Sequence, residues 1–231
     1  VADIEADVII VGSGVSGALL AARLSAAGVK VAILEAGAAV DRAEATQRFW
    51  NAAIKVPECP YPPNPQADHP ITNDPDYWYR QVGPAKFKST YLKVVGGTTW
   101  HWLGTCLRFV PSDFRLSTAY GRGLDWPISY QDLEPFYGQA EDELGVSGDS
   151  GEALGSPRAS QYPMPAIPQT FVDKAYAHAL AGTQFEVRAT PQGRNSKDRG
   201  DRPACCGSAS CIPVCPVQAK YDATMHLSLA Q

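Results

Sequence analysis

The chain has 231 residues, 45% of them hydrophobic and 10% aromatic, enough to bury the core of one large domain or two modest ones. Its formal net charge of −4 gives no reason to expect nucleic acid or an anionic membrane surface as a partner. No run approaches the roughly twenty apolar residues of a membrane span, and the opening VADIEADVII lacks the pattern of a secretory signal, so no export address is expected in it.

Val8 to Val11 is short, apolar and β-branched, which predicts a buried parallel strand. Gly12, Gly14 and Gly17 follow at once in GxGxxG spacing. Leu20, Ala21 and Leu24 then repeat at helical spacing, and Gly28 supplies a stop. A second apolar strand, Val31 to Leu34, ends in Glu35. In such a βαβ unit the first glycine permits the tight turn and the second lets backbone approach a pyrophosphate. The third lets helix and strand pack closely. The helix N-terminus faces the phosphates, and Glu35 stands where a carboxylate accepts the ribose hydroxyls of an adenosine, which disfavours a 2′-phosphate. The pattern does not separate NAD from FAD, although VAILEAG resembles the FAD-binding form.

A helix is expected over Asp41 to Ala53, followed by an ordered surface loop in VPECPYPPNPQADHP, too rich in proline for helix or central strand. YLKVVGGTTWHWLG sets Gly96 and Gly97 against Thr98, Thr99, Trp100, His101 and Trp102. That set suits a backbone passing close to a flat ligand, and equally a strand end packed with tryptophans. Ser129 with Asp132 forms a capping box before a helix predicted to carry Leu133, Phe136, Tyr137, Ala140 and Leu144 on one face. Thr170 with Asp173 forms a second, before a helix that Gly182 can end. His178 in that helix receives no role.

Six cysteines are present, four of them within CCGSASCIPVCP, from Cys205 to Pro216. Structural zinc favours paired C-x2-C spacings, which this loop lacks. The ending C-x3-C-P is similar to ferredoxin ligand runs, and adjacent cysteines diverge, so Cys205 and Cys206 would not both bind one cluster, and three ligands would suit a 3Fe-4S centre. A disulfide, zinc or unmodified thiols are the other readings of the same loop. Arg199, Arg202 and Lys220 flank it and could offset thiolate charge.

GSGVSG…LEAG, VVGGTTWHW, GRGLDWPISYQDLEPFYGQAEDELGV and RPACCGSASCIPVCP, in that order, resemble the glucose-methanol-choline flavoproteins. More narrowly, they resemble the large subunits of bacterial membrane-bound sugar and gluconate dehydrogenases. The resemblance implies an α/β fold: a Rossmann-like, glucose-oxidase-like FAD-binding domain over residues 1–115, then an intervening region and the start of a substrate domain over 116–231. An iron-sulfur loop falls at 199–220, and the C-terminal half of the fold is absent. It implies FAD held by Gly12, Gly14, Gly17 and Glu35 and by Gly96, Gly97, Thr98 and Thr99, and a 3Fe-4S cluster held by Cys205, Cys211 and Cys215, with Cys206 the alternative to Cys205.

GGTTWHW also resembles the flavin-linking turn of pyranose oxidases, whose histidine aligns with His101, which implies a covalent flavin bond there. Family members are much longer and carry their general base late, so the chain is expected to be a partial sequence. None of His69, His101, His178 and His226 fits that base, and the catalytic residue is unknown. The implied activity is oxidation of a hydroxyl of a sugar, polyol or sugar acid, with electrons relayed through the 3Fe-4S cluster to a multihaem cytochrome c subunit. The implied partners are the substrate, that subunit and a small companion subunit. The implied location is periplasmic, peripheral to the inner membrane, with export and membrane association supplied by partners. An oxygen-using oxidase of the same family and a non-catalytic flavin and iron-sulfur electron carrier are the alternatives.

Overall fold

The computed structural model describes residues 3–57, 59–61, 82–85 and 91–230. Most of the proline-rich segment 56–70, His69 included, lies outside them. Two compact units divide the chain: Val1–Leu103 with Gly207–Gln231, and Gly104–Cys206. The division expected at 115/116 cuts through the second.

In the first unit, β1 (Val8–Val11) pairs in parallel with β2 (Val31–Leu34), Val8 opposite Val31 and Val11 opposite Leu34. The crossover helix α1 (Val15–Ala26) buries Ala18, Ala21 and Ala22, small side chains that let it lie close to the strands. Leu20, expected on its buried face, is exposed. Gly28 closes the helix with φ +80°, its N–H bonded to the Ser25 carbonyl. β1 is not buried throughout. Ile10 is covered, whereas Ile9 and Val11 are 63% and 84% exposed, because α1 covers one face only.

Helix α2 (Arg42–Asn51) begins where the sequence predicts, with the Asp41 side chain accepting the Glu44 N–H. The core of this unit comprises Ala45, Tyr61, Leu92, Val94, Trp100 and Val214. It therefore joins α2, the glycine-tryptophan turn and the cysteine loop. A 3-10 turn spans Gly97–Trp100.

The second unit opens with a 3-10 turn at Pro111–Arg115, leading into α3 (Leu116–Tyr120). Its main helix, α4 (Tyr130–Leu144), has the predicted capping box. Its inward face matches the predicted one only in part, since Leu133, Tyr137, Ala140 and Leu144 are half-buried. Tyr130 and Glu141 are buried, and Phe136 is 61% exposed. The row Tyr130, Glu134, Tyr137, Glu141 turns inward because Arg108 lies there. This arginine is bidentate to Glu141 at 2.7 and 2.9 Å, 3.0 Å from Glu134 and 3.2 Å from the Tyr130 hydroxyl. Arg158 completes the group at 2.7 Å from Glu141. A buried glutamate reads as a surface residue in a hydrophobicity pattern, which is why the face was predicted rotated.

β3 (Ser147–Gly148) and β4 (Met164–Pro165) pair in parallel. Helix α5 (Phe171–Ala179) has its predicted box, Thr170 with Asp173, but ends before Gly182. His178 is exposed. The last helix, α6 (Thr224–Leu229), returns to the first unit and packs on α1, where Ser25 donates to the Ala230 carbonyl at 3.2 Å. No helix among the described residues is long and apolar enough to cross a membrane.

Candidate cofactor-binding site

Gly12 leaves β1 with φ +91°, its N–H on the Leu34 carbonyl at 2.8 Å. That conformation falls to glycine because a Cβ would clash with the backbone. Gly14 is the N-cap of α1, and a Cβ built on it would meet nothing within 4 Å, so open space lies directly before it. The first turn of α1 has no acidic residue and no side-chain cap, leaving its amides directed at that space. Gly17 is a packing glycine: its Cβ would stand 2.1 Å from the Gly12 carbonyl oxygen.

Glu35 sits at the end of β2. Its Oε2 accepts from the Ser13 N–H at 2.9 Å and the Ser13 hydroxyl at 2.5 Å, and its Oε1 from the Gly37 N–H at 2.7 Å. Burial pushes its pKa up, but these donors together outweigh burial and hold the carboxyl below its ordinary range. Ser13, buried, also accepts the Gly96 N–H at 3.0 Å through its hydroxyl, so one side chain ties the first glycine turn, the acid and the second glycine turn together.

Gly96 and Gly97 both have positive φ, +89° and +57°, and a Cβ on Gly97 would lie 3.7 Å from Gly14 Cα. The two turns thus face each other across a cleft of about 460 Å³, within the size range of small-molecule sites. Gly12, Gly14, Glu35, Gly97, Thr98 and Thr99 line it, together with the segment Tyr91–Val94. Gly17 and Gly96 support it from behind. The Thr99 hydroxyl is engaged in the fold, donating to Gly96 O at 2.6 Å and accepting from the Ala223 N–H at 2.9 Å.

His101 is outside this lining. It is buried, and neither ring nitrogen has a hydrogen-bond partner among the described residues. Burial, and then the charge of Lys220, push its pKa down to about 4 from 6.5. An unfolded histidine binds its proton near pH 6.5 and this one only near 4. Between those values the unfolded state therefore holds more protons, and stability falls as pH falls. The contribution is whole above pH 6.5 and is lost toward pH 4, about 3 kcal/mol in all. His101→Gln is expected to remove that part of the acid slope. Urea midpoints of both flavin-free proteins near pH 7 and about pH 4.5 will show it, and parallel losses would refute it.

The cysteine loop is pinned at alternate carbonyls. Lys220 donates to Cys211 O at 2.8 Å, Tyr61 to Pro213 O at 2.6 Å, and Arg42 to Cys215 O at 3.0 Å. Cys215 is buried, with the Lys220 N–H 3.4 Å from its sulfur, a contact of the kind that tunes cluster ligands. Burial pushes the Lys220 pKa down to about 8, against the pull of Cys211, Cys215 and Asp222, so it is a cation at neutral pH.

Among the described residues no three Cys, His, Asp or Glu side chains come together as a metal site. Cys205 belongs to the second unit, Cys211 and Cys215 to the first. No disulfide joins any of the six among the described residues. Of the flanking cations, Arg199 pairs with Asp142 at 2.9 Å and Arg202 donates to Leu144 O at 2.9 Å.

Ser13, Gly37 and Lys220 are the site residues that the sequence reading did not single out. A small hydroxyl between the first two glycines and the glycine of LEAG were the available signals. Lys220 gave none beyond its place beside the cysteines.

Two facing backbone turns, an uncapped helix N-terminus and a carboxylate at the end of the second strand define a dinucleotide-binding site of flavoprotein type. The FAD binding domain family matches residues 5–46, the same strand, turn, helix, strand and acid. The chain is 39% identical over 230 residues to the fructose dehydrogenase large subunit of Gluconobacter japonicus, covering 95% of this chain and 42% of that protein. It is 33% identical over 184 residues to 2-methyl-1,2-propanediol dehydrogenase of Mycolicibacterium austroafricanum, covering 76% and 31%. It is 26% identical over 222 residues to the gluconate 2-dehydrogenase flavoprotein of Pantoea cypripedii, covering 83% and 36%. Over the part it spans, the chain belongs to the glucose-methanol-choline flavoproteins, with their large flavin subunits. It spans less than half the length of these relatives.

Proposed function

We propose that the chain is the FAD-holding portion of a dehydrogenase that oxidises a hydroxyl of a sugar, polyol or sugar acid. The observation that carries this reading is the Gly14–Gly97 cleft with Glu35 at its rim. Its open floor, helix amides and hydrogen-bonded carboxylate fit the adenosine and pyrophosphate of FAD. The names of the relatives, fructose and gluconate dehydrogenases among them, support the substrate class.

FAD supplies a two-electron hydride acceptor. What these residues contribute is binding and orientation: Glu35 for the ribose, the first turn of α1 for the phosphates, and the Gly97–Thr99 backbone for the face opposite. His226 is buried with its Nδ1 2.8 Å from the Tyr221 hydroxyl. It does not line the cleft, and we assign no proton-accepting residue.

The proposal includes a 3Fe-4S cluster on Cys205, Cys211 and Cys215, with a cytochrome c subunit, a small companion subunit and a periplasmic location. It rests there on ligand spacing and on the resemblance alone. A second reading, an oxygen-using oxidase, draws on the 6'''-hydroxyparomomycin C oxidase of Streptomyces lividus, 30% identical over 94% of this chain and 37% of that protein.

Purified anaerobically, the protein is expected to show flavin bands over a broad iron-sulfur shoulder, and a sugar or sugar acid should bleach the flavin of the full-length protein. Flavin without iron, together with oxygen uptake, would select the oxidase. A colourless protein that does not take up FAD would overturn the proposal. Acid denaturation decides the role of His101, since a covalent bond keeps flavin with the precipitate and a non-covalent site releases all of it.

A further inference from the structure

Lys220 is a buried ammonium whose three N–H donors have three partners: the carbonyls of Trp100 at 2.7 Å, Trp102 at 2.6 Å and Cys211 at 2.8 Å. A lysine offers three donors and no acceptor, so this side chain is fully satisfied. Two of the carbonyls continue directly from the Gly97–Thr99 stretch that lines the cofactor cleft. The third begins the loop that Tyr61 and Arg42 pin further on.

Trp100 lies at the centre of these contacts. The Arg42 guanidinium is 4.4 Å from its ring centroid, and Tyr61 meets it edge-on at 6.1 Å. Its indole N–H is taken by the Val95 carbonyl at 2.8 Å. The Trp102 indole N–H, in turn, reaches back to the Tyr221 carbonyl at 2.8 Å, next in sequence to Lys220. The segment around Lys220 and the turn around Trp100 and Trp102 therefore hold each other by both main chain and side chain.

We propose that Lys220 is a positioning residue for the cofactor: it fixes the Gly97–Thr99 backbone against the flavin nucleotide and joins that backbone to the cysteine loop, so that a change at one is felt at the other. The inference rests on the reading of the cleft as an FAD site and does not require the cluster. Removing the ammonium takes a donor from three carbonyls, that of Trp100 buried, and the turn that loses two of these bonds is the one that faces the cofactor.

The full-length protein, its Lys220→Met variant and its Lys220→Arg variant are compared by FAD titration, visible circular dichroism of the bound flavin and amide hydrogen exchange. Lys220→Met is expected to weaken FAD binding by about tenfold or more and to alter the visible dichroism, with Lys220→Arg restoring part of both. Binding within about twofold of the parent with unchanged dichroism overturns the proposal. Should the methionine variant not fold, the parent alone decides. FAD must slow exchange in residues 205–215 as well as in 96–103, and protection confined to 96–103 overturns the coupling. No FAD binding by the parent protein would instead refute the reading of the cleft, an outcome distinct from either.

Discussion

Gly37→Ala is expected to abolish FAD binding and to lower the stability of the first unit by about 3 kcal/mol or more. The cause is volume and not backbone conformation. A Cβ there would stand 2.3 Å from the Val94 nitrogen and 2.4 Å from both the Lys93 carbonyl carbon and its oxygen, all main-chain atoms that cannot rotate away. To admit it, the 93–94 segment must withdraw from residues 36–38, breaking the Ala38–Val94 bridge and the Val95 N–H bond to Ala38 at 2.9 Å. Leu92 and Val94 would leave the core with it, and the Tyr91–Val94 wall of the cleft would move.

Gly14→Ala is the informative comparison. Its methyl meets no protein atom within 4 Å, so folding should survive while the methyl occupies the space in which the pyrophosphate would lie. Urea denaturation and FAD titration of the two variants separate them. Equal stability losses would show that the close approach at Gly37 is not as described.

Arg108→Met is expected to destabilise the second unit by about 3–5 kcal/mol. The arginine side chain is 2% exposed and lies among two glutamates and a tyrosine hydroxyl, with Tyr137 beneath its guanidinium at 5.4 Å. Burial opposes its charge, but Glu141, Tyr130 and Glu134 hold it protonated. Arg108 and Arg158 balance Glu134 and Glu141. Without Arg108, Glu141 still has Arg158, stacked 3.5 Å from the Tyr162 ring centroid, while Glu134 keeps the Ala159 N–H and the weaker pull of the Arg158 charge. The loss is thus mostly that of a stranded carboxylate. Adding Glu134→Gln to Arg108→Met should therefore recover a measurable part of it, and a double-mutant cycle in urea tests this. A double variant less stable than Arg108→Met would rule out the charge-balance account.

What the sequence discloses here is what is local. The glycine spacing, Glu35 at the end of the second strand, the helix start at Asp41 and the boxes at Ser129 and Thr170 are each written within a few residues, and each occurs as read. The inward face of α4 was read only in part because its partner, Arg108, is far away in the chain and a paired glutamate carries no apolar signature. Ile9 and Val11 look like core residues because β-branched side chains report strand formation, not whether both faces are covered. Lys220 was one basic residue among several. Only the meeting of residues 100–102 with 211–220 gives it three carbonyls.

Because the cleft is walled on two sides by glycine backbone, all but the Glu35 contact would be made largely through peptide groups, which mutation does not alter. Side chains elsewhere can then diverge freely while the grip persists, provided Gly12, Gly14 and Gly97 stay bare.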